Sequence, residues 1–291
     1  MNLSENIPSG HGLGQETKYP DSYNPGLLFS IPRAPNHQAL GFSSEHSLPF
    51  TGHDLWHHYE VSWLKNSGVP EVRIARIILP CDSPCLIESK SMKLYFNSLN
   101  NAKFNSQDQV LNIITQDLSK AAGALVQIEF FSPDLSQNIS QKFSIQDLSG
   151  ICLDHLDITV SDYEIRPNLL ALDRNIQTQE TLYSHLFRSC CPVTAQPDWA
   201  SILINYQGPK INHEALLAYL ISYRNHMGFH EDCVERIFLD LWKLGTWEYL
   251  SVQGYFTRRG GLDINPVRVL KNSVIKNFGD KNNQPVRLLR Q

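Results

Sequence analysis

Glu88-Ser89-Lys90-Ser91-Met92-Lys93 sets one carboxylate, two hydroxyls and two ammonium groups at the head of a segment, Leu94 to Asn100, that can run on as a helix. A helix start presents unpaired backbone N–H groups and the positive end of the dipole, so it suits an anion. Glu88 cannot serve that anion. An acid beside a cationic site points to two ligands meeting there, one phosphorylated and one offering N–H donors. Taken alone, such a Lys/Ser run is most often a solvated helix cap.

Outward from this run the chain alternates between two periods. On the N-terminal side, Tyr59, Val61 and Trp63 alternate with Glu60 and Ser62, and Val72 and Ile74 alternate with Glu71 and Arg73, giving two strands. On the C-terminal side, Ser106 and Gln109 form a capping box ahead of Val110, Leu111, Ile114, Leu118, Ala121 and Ala122 at helical spacing. Gly123 stands where a C′ glycine would end that helix. Val126, Ile128 and Phe130 predict a third strand and Ile151 to Val160 a fourth. Two strands, two helices and two strands result, and the order recurs. Ser201 to Tyr206 reads as a strand, His213 to Tyr223 and Glu231 to Leu244 as helices, and Trp247 to Thr257 as a long strand. Residues 1–45, with Pro20, Pro25, Pro32 and Pro35, read as an irregular arm. The polar stretch from about 165 to 180 reads as a boundary, leaving a first domain over 46–165 and a second over 180–291. An antiparallel sheet with a helix pair on one face buries only that face, which leaves the other for partner subunits. The fold class expected is α+β, in two domains with an internal repeat.

Composition narrows the partners. The 25 basic and 29 acidic residues give a formal net charge of −4, which argues against broad nucleic-acid binding through phosphate neutralisation. A base-like small molecule stays allowed. No signal-like apolar run opens the chain, and apolar stretches such as Ala215 to Ile221 are too short to span a bilayer. A cytoplasmic protein with no membrane partner is expected. Cys81, Cys85, Cys152, Cys190, Cys191 and Cys233 then read as reduced thiols. Zinc spacing is missing: Cys81 and Cys85 have no accompanying pair, and His230-Glu231 has Val234 where a zincin needs its second His. No metal site is expected.

Three further constellations can carry chemistry. Cys191 and Asp198 stand seven residues apart across Pro192 and Pro197, which predicts an extended, stiff loop. A thiol acts as a nucleophile only as thiolate, and a nearby carboxylate can accept its proton and later return it. Trp199 would shield Asp198 from water and keep it basic. A structural Cys with a capping Asp is the plainer alternative. His230-Glu231 opens the last helix, where Glu is favoured by the dipole as a cap; the functional reading has both residues facing a polar heterocycle. Arg258-Arg259-Gly260-Gly261 after a strand offers two guanidiniums and close backbone approach, either an ordinary basic turn or a phosphate clamp. Gly10-His11-Gly12-Leu13-Gly14 lies in the arm and is no dinucleotide fingerprint.

Together these stretches resemble the NADPH-dependent 7-cyano-7-deazaguanine reductases, the nitrile reductases of queuosine synthesis, a pathway of tRNA modification. The likeness is carried by Leu86-Ile87-Glu88-Ser89-Lys90-Ser91-Met92-Lys93-Leu94-Tyr95, by Ser189-Cys190-Cys191 with Gln196-Pro197-Asp198-Trp199, by Phe229-His230-Glu231, and by Tyr255 to Pro266 around Arg258-Arg259-Gly260-Gly261. It runs from about residue 20 onward and matches the long, two-domain form of the family. The resemblance implies two tandem tunnelling-fold (T-fold) domains per chain and a homodimer with active sites at domain interfaces.

Carried over by position, the resemblance implies that Cys191 attacks the nitrile carbon to give a covalent thioimide, with Asp198 handling protons. Ile87, Glu88, Ser89, His230 and Glu231 would bind the deazapurine, and Ser89, Lys90, Arg258, Arg259 and Gly260 would hold NADPH, two of which are consumed per turnover. The chain departs from the family at Cys190, where a non-thiol residue is usual. Two rivals stand beside this reading. A cyclohydrolase-like T-fold enzyme acting on a pterin or purine would share the acidic base-recognition residue but needs zinc ligands. A non-catalytic nucleobase-binding T-fold module would not need Cys191 and Asp198 beside two cationic clusters.

Overall fold

The computed structural model describes residues 20, 22–42, 48–134, 145–161, 163–273 and 287–291. The glycine-rich stretch at 10–14 lies outside them. The described chain runs β1 (Ser30–Pro32), α1 (Ala34–Ala39), β2 (Phe50–Lys65), β3 (Pro70–Pro80), β4 (Cys85–Ile87), α2 (Ser89–Ser98), β5 (Lys103–Phe104), α3 (Gln107–Ala122), β6 (Gln127–Phe131) and β7 (Ile151–Cys152). It continues with β8 (Leu172–Cys190), β9 (Pro197–Ile211), α4 (His213–Ile221), α5 (His230–Leu244), β10 (Tyr249–Phe256) and β11 (Leu262–Leu270). The class is α+β.

Local chemistry sets the helix ends. The Ser106 side chain accepts from Gln109 N at 3.2 Å, and Gly123 closes α3 in the left-handed region at φ 72°. Between them Val110, Ile114, Leu118 and Ala122 form a buried i, i+4 stripe. Asn212 caps α4 by accepting from Ala215 N at 2.9 Å.

Nine strands join into one sheet in the order β6-β3-β2-β11-β10-β9-β8-β7, with β5 running parallel to the end of β2. All other pairs are antiparallel except the two-residue β7·β8 contact. The two repeats therefore do not hold separate sheets, as the sequence pattern led us to expect. Strand β11 pairs with β2 from Leu262↔His58 to Leu270↔Phe50 and stitches the halves together. Both helix pairs cover the same face: Phe50 meets Phe238 of α5 at 5.4 Å, while Trp56, of the same parity on β2, packs with Met92, Tyr95 and Phe96 of α2. The opposite face is partly covered, where Leu148 and Leu288 pack on Leu203 and Tyr255.

Several expectations are corrected. The Pro-rich arm is not irregular throughout: residues 25–27 form a 3₁₀ turn, Ser30–Pro32 pairs with Cys85–Ile87, and α1 follows. Pro25 and Pro35 sit in the first turns of helical segments, where the missing N–H costs nothing, and Pro32 ends a short edge strand. The fourth strand is only Ile151–Cys152. The polar boundary at 165–180 is half strand, because β8 begins at Leu172 and pairs with the end of β9 across a bulge between Asp173 and Gln177. Strand β11 was not anticipated; Asn265-Pro266 conceals it.

Candidate active site

One cavity of about 450 Å³ opens where β4 and α2 of the first half face the β8–β9 turn, the start of α5 and the β10–β11 turn of the second. Ile87, Glu88, Ser89, Lys90, Cys191, Asp198, His230, Glu231, Arg259 and Gly260 all line it. Arg258 does not line it; its guanidinium lies over the ring of Tyr59 at 4.4 Å. Lys93, Gln196 and Phe229, quoted above within their motifs but given no site role, also line the cavity, and so does Ile31. Lys93 follows Lys90 by three residues and so shares its helix face, a signal that was available in the sequence. Ile31 sits in the Pro-rich segment and carried none.

Glu88 is the N-cap of α2. Its carboxylate accepts from Lys90 N at 2.9 Å and from Ser91 N at 2.6 Å, so the helix satisfies these two amides with its own side chain. The open anion site expected at this helix start is thus filled by an internal carboxylate. Cationic charge at the rim comes instead from the side chains of Lys90, Lys93 and Arg259. Lys93 Nζ donates to the Gly260 carbonyl at 2.6 Å and to Glu60 at 3.1 Å, tying α2 to the β10–β11 turn. Gly260 and Gly261 both have positive φ (57° and 81°), and at Gly261 a Cβ would lie 2.4 Å from the Glu60 carboxyl carbon. A backbone of this kind, flanked by three cations, fits a phosphorylated cofactor.

The segment between Cys191 and Asp198 is a closed turn rather than an extended loop. Ala195 N donates to Cys191 O and Cys191 N to Gln196 O, both at 2.9 Å, with Ala195 at φ 55°. The reason is the hairpin: Ser189 faces Asp198 and Cys190 faces Pro197 across β8 and β9, so a seven-residue step returns to the same sheet end. Pro197 occupies the first position of its strand, where Pro is tolerated. Cys191 lines the cavity, whereas the Cys190 sulfur lies 3.8 Å from both Arg188 and the Arg224 carbonyl.

Asp198 is 4% exposed. Burial by itself would raise its pKa, but His230 and Arg259 outweigh burial and hold the carboxyl below its usual range. Arg259 donates to Asp198 Oδ1 and to Gln196 Oε1, and His230 Nε2 lies 3.4 Å from Asp198 Oδ2. Trp199 does not shield the carboxylate, because neighbouring strand residues point to opposite faces; its ring lies between Arg188 and Arg224. His230 stacks on Phe256 at 3.9 Å, and its Nδ1 is buried without a partner among the described residues. Glu231 is 3% exposed. Burial first, and then the Asp54 charge, push its carboxyl up to about 7. Among the described residues no group of three or more His, Cys, Asp or Glu side chains is placed to hold a metal ion. No helix among them is long and apolar enough to cross a membrane.

Known proteins add a second line. Residues 19–130 match the family described as "Nitrile reductase, 7-cyano-7-deazaguanine-reductase N-term", and residues 197–273 match "QueF-like protein". The chain is 48% identical over 291 residues to the NADPH-dependent 7-cyano-7-deazaguanine reductase of Legionella pneumophila (strain Lens), covering 99% of this chain and 98% of that one. The protein of the same name from Chromohalobacter salexigens is 46% identical, with 96% of each chain covered. That of Xanthomonas campestris pv. campestris is 48% identical over 90% of this chain and 93% of its own. The solved archaeosine synthase QueF-Like in the apo form matches 32% of this chain and 92% of its own at 17% identity and a TM-score of 0.29, too little to bear on the fold. With near-complete coverage at almost half identity, the chain belongs to the NADPH-dependent 7-cyano-7-deazaguanine reductase family.

Proposed function

We propose that this protein reduces the nitrile of 7-cyano-7-deazaguanine to the aminomethyl group, with NADPH as reductant, through a thioimide on Cys191. The observation that carries this reading is the cavity itself, which gathers a half-buried thiol, the Asp198 carboxylate, two acids suited to a guanine-like edge and a cationic glycine turn from both halves of the chain.

The Cys191 sulfur adds to the nitrile carbon while the thiol proton passes by way of Asp198 to the nitrile nitrogen, giving a C=N bond that accepts hydride. Bound NADPH supplies a hydride in each of two successive reductions. After the first, the sulfur leaves carbon as thiolate and takes a proton from solvent by way of Asp198, while the imine left behind takes a second solvent proton on nitrogen as the second hydride adds to its carbon. Asp198 serves as proton relay at each stage, and His230, against its Oδ2, holds the carboxylate in place beside the ring edge of the substrate. Glu231 and the free lone pairs of Glu88 accept hydrogen bonds from the ring edge, with Ile87 as an apolar wall. Ser89, Lys90, Arg259 and Gly260 form the cofactor rim. Arg258, stacked on Tyr59, takes a supporting role in that turn.

We further infer that residues 46–165 and 180–291 are tandem T-fold halves, in keeping with the repeated strand and helix order. The chain would act as a homodimer in the cytoplasm, with neither nucleic acid nor membrane as partner. The direct test is absorbance at 340 nm with NADPH and the cyano-deazaguanine, joined to intact-mass analysis for an adduct formed without NADPH. Loss of absorbance together with an adduct of substrate mass is expected. A reaction that required added zinc would favour the cyclohydrolase-like alternative, and binding without turnover the non-catalytic one.

A further inference from the structure

The segment ahead of α1 reaches the substrate end of the cavity through a buried lattice of charges. The Arg33 guanidinium donates to Asp54 on β2 at 2.5 Å, to Glu235 on α5 at 3.4 Å and to Ser83 at 3.2 Å. Arg268 on β11 donates to the same Glu235 oxygen at 2.8 Å and sits at ion-pair distance, 2.8 Å, from Asp54. These four side chains are at most 2% exposed, and their formal charges cancel. Glu235 lies one helical turn beyond Glu231, so whatever fixes it fixes the direction in which the first turn of α5 faces the cavity. Asn36 adds a bond to Asp232 at 2.7 Å, and His37 approaches Glu235 at 3.2 Å.

We propose that Arg33 is a positioning residue for deazapurine recognition, holding the first turn of α5 against β2 and balancing the Asp54 charge behind Glu231. The inference rests on the reading above that Glu231 contacts the deazapurine. Charges facing Glu231 come from several elements. Asp54 on β2 raises its pKa, and Arg33 and the neighbouring His230 lower it. Arg268 and His37 reach Glu235 rather than Glu231, and Glu88 lies on the cavity wall contributed by α2. A cation removed from this lattice leaves a buried carboxylate uncompensated, which favours protonated Glu231.

The test is isothermal titration of 7-cyano-7-deazaguanine against pH, without NADPH, in a Cys191→Ala background. Arg33→Met should move the pH of half-maximal affinity upward by about one unit, roughly a five-fold loss at neutral pH. Asp54→Asn should move it downward, and Arg33→Lys should leave it in place. Removing both charges in Arg33→Met/Asp54→Asn should bring the midpoint back toward that of the parent. This pair also guards against misfolding, since deleting both partners of a buried ion pair is far milder than deleting one. Midpoints that stay fixed in all variants, or that move the same way in Arg33→Met and Asp54→Asn, would overturn the proposal. Glu231→Gln separates the two readings: unchanged affinity there sinks the assignment of Glu231 itself, whereas weakened affinity with an inert Arg33 sinks only this inference.

Discussion

Arg259 and Asp198, 61 residues apart in sequence, share a charge-assisted hydrogen bond that joins the β10–β11 turn to the start of β9. The cation expected to meet the cofactor thus rests on the carboxylate expected to move protons. Arg259 helps to hold Asp198 below the ordinary carboxylate range, so the acid is ionised and ready to accept a proton at neutral pH. Arg259→Met removes that influence while burial remains, and the Asp198 pKa should rise. The acid limb of Cys191 alkylation by iodoacetamide, measured against pH without cofactor, should then shift to higher pH. An unmoved limb would show that Arg259 does not govern Asp198.

The adjacent thiols make opposite predictions. Cys191 faces the cavity, whereas the Cys190 sulfur sits between Arg188 and the Arg224 carbonyl and is 8% exposed as a residue. Cys191→Ala should abolish both turnover and the covalent adduct seen by intact mass. Cys190→Ala should retain both, with at most a modest loss of stability from a small void. Loss of the adduct in Cys190→Ala alone would reverse the assignment.

Much of the fold was legible because local rules acted without competition. The alternation at Tyr59, Val61 and Trp63, the capping box at Ser106 and the stripe from Val110 to Ala122 each name their element directly. Long-range pairing was not legible. His57 and Asp263 bond at 2.7 Å across 206 residues, and no local period reports that β2 and β11 are neighbours. Strand β11 is buried almost throughout, so it lacks the alternation that marks a half-exposed strand. For the site, residue types and spacing identified the groups, but their partners came only with the fold. Glu88 capping its own helix, and Asp198 already paired, both depend on side-chain direction.

Gly261 should tolerate no side chain. Its φ of 81° is strained for an L-residue, and a Cβ would displace the Glu60 carboxylate that Lys93 also holds. Glu60 is exposed and can swing away, so the lasting cost is backbone strain of about 1–2 kcal/mol. Gly261→Ala should lower the melting temperature by a few degrees. It should also raise the KM for NADPH with kcat at saturation nearly intact, because the turn carrying Arg259 and Gly260 shifts. Equal losses in kcat and kcat/KM would place the turn in the chemical step instead.

Glu231 should trade stability for recognition. Its folded pKa of about 7 lies above the ordinary 4.5, so the stability it contributes is fully present below pH 4.5 and is lost as pH rises through 7. Above that range the buried charge is a net cost. Glu231→Gln keeps the shape and removes the titration, so at pH 8 the variant should unfold at higher temperature than the parent, by up to about 3 kcal/mol in stability. At about pH 4 the two should be nearly equal. The same substitution removes the anionic acceptor for the deazapurine and should raise its KM at least ten-fold, by the order of magnitude of a charged hydrogen bond. Melting curves at the two pH values beside steady-state kinetics would check both halves. A variant less stable at pH 8 would mean that Glu231 is paired in the free protein, not held there at a cost to be recovered when substrate binds.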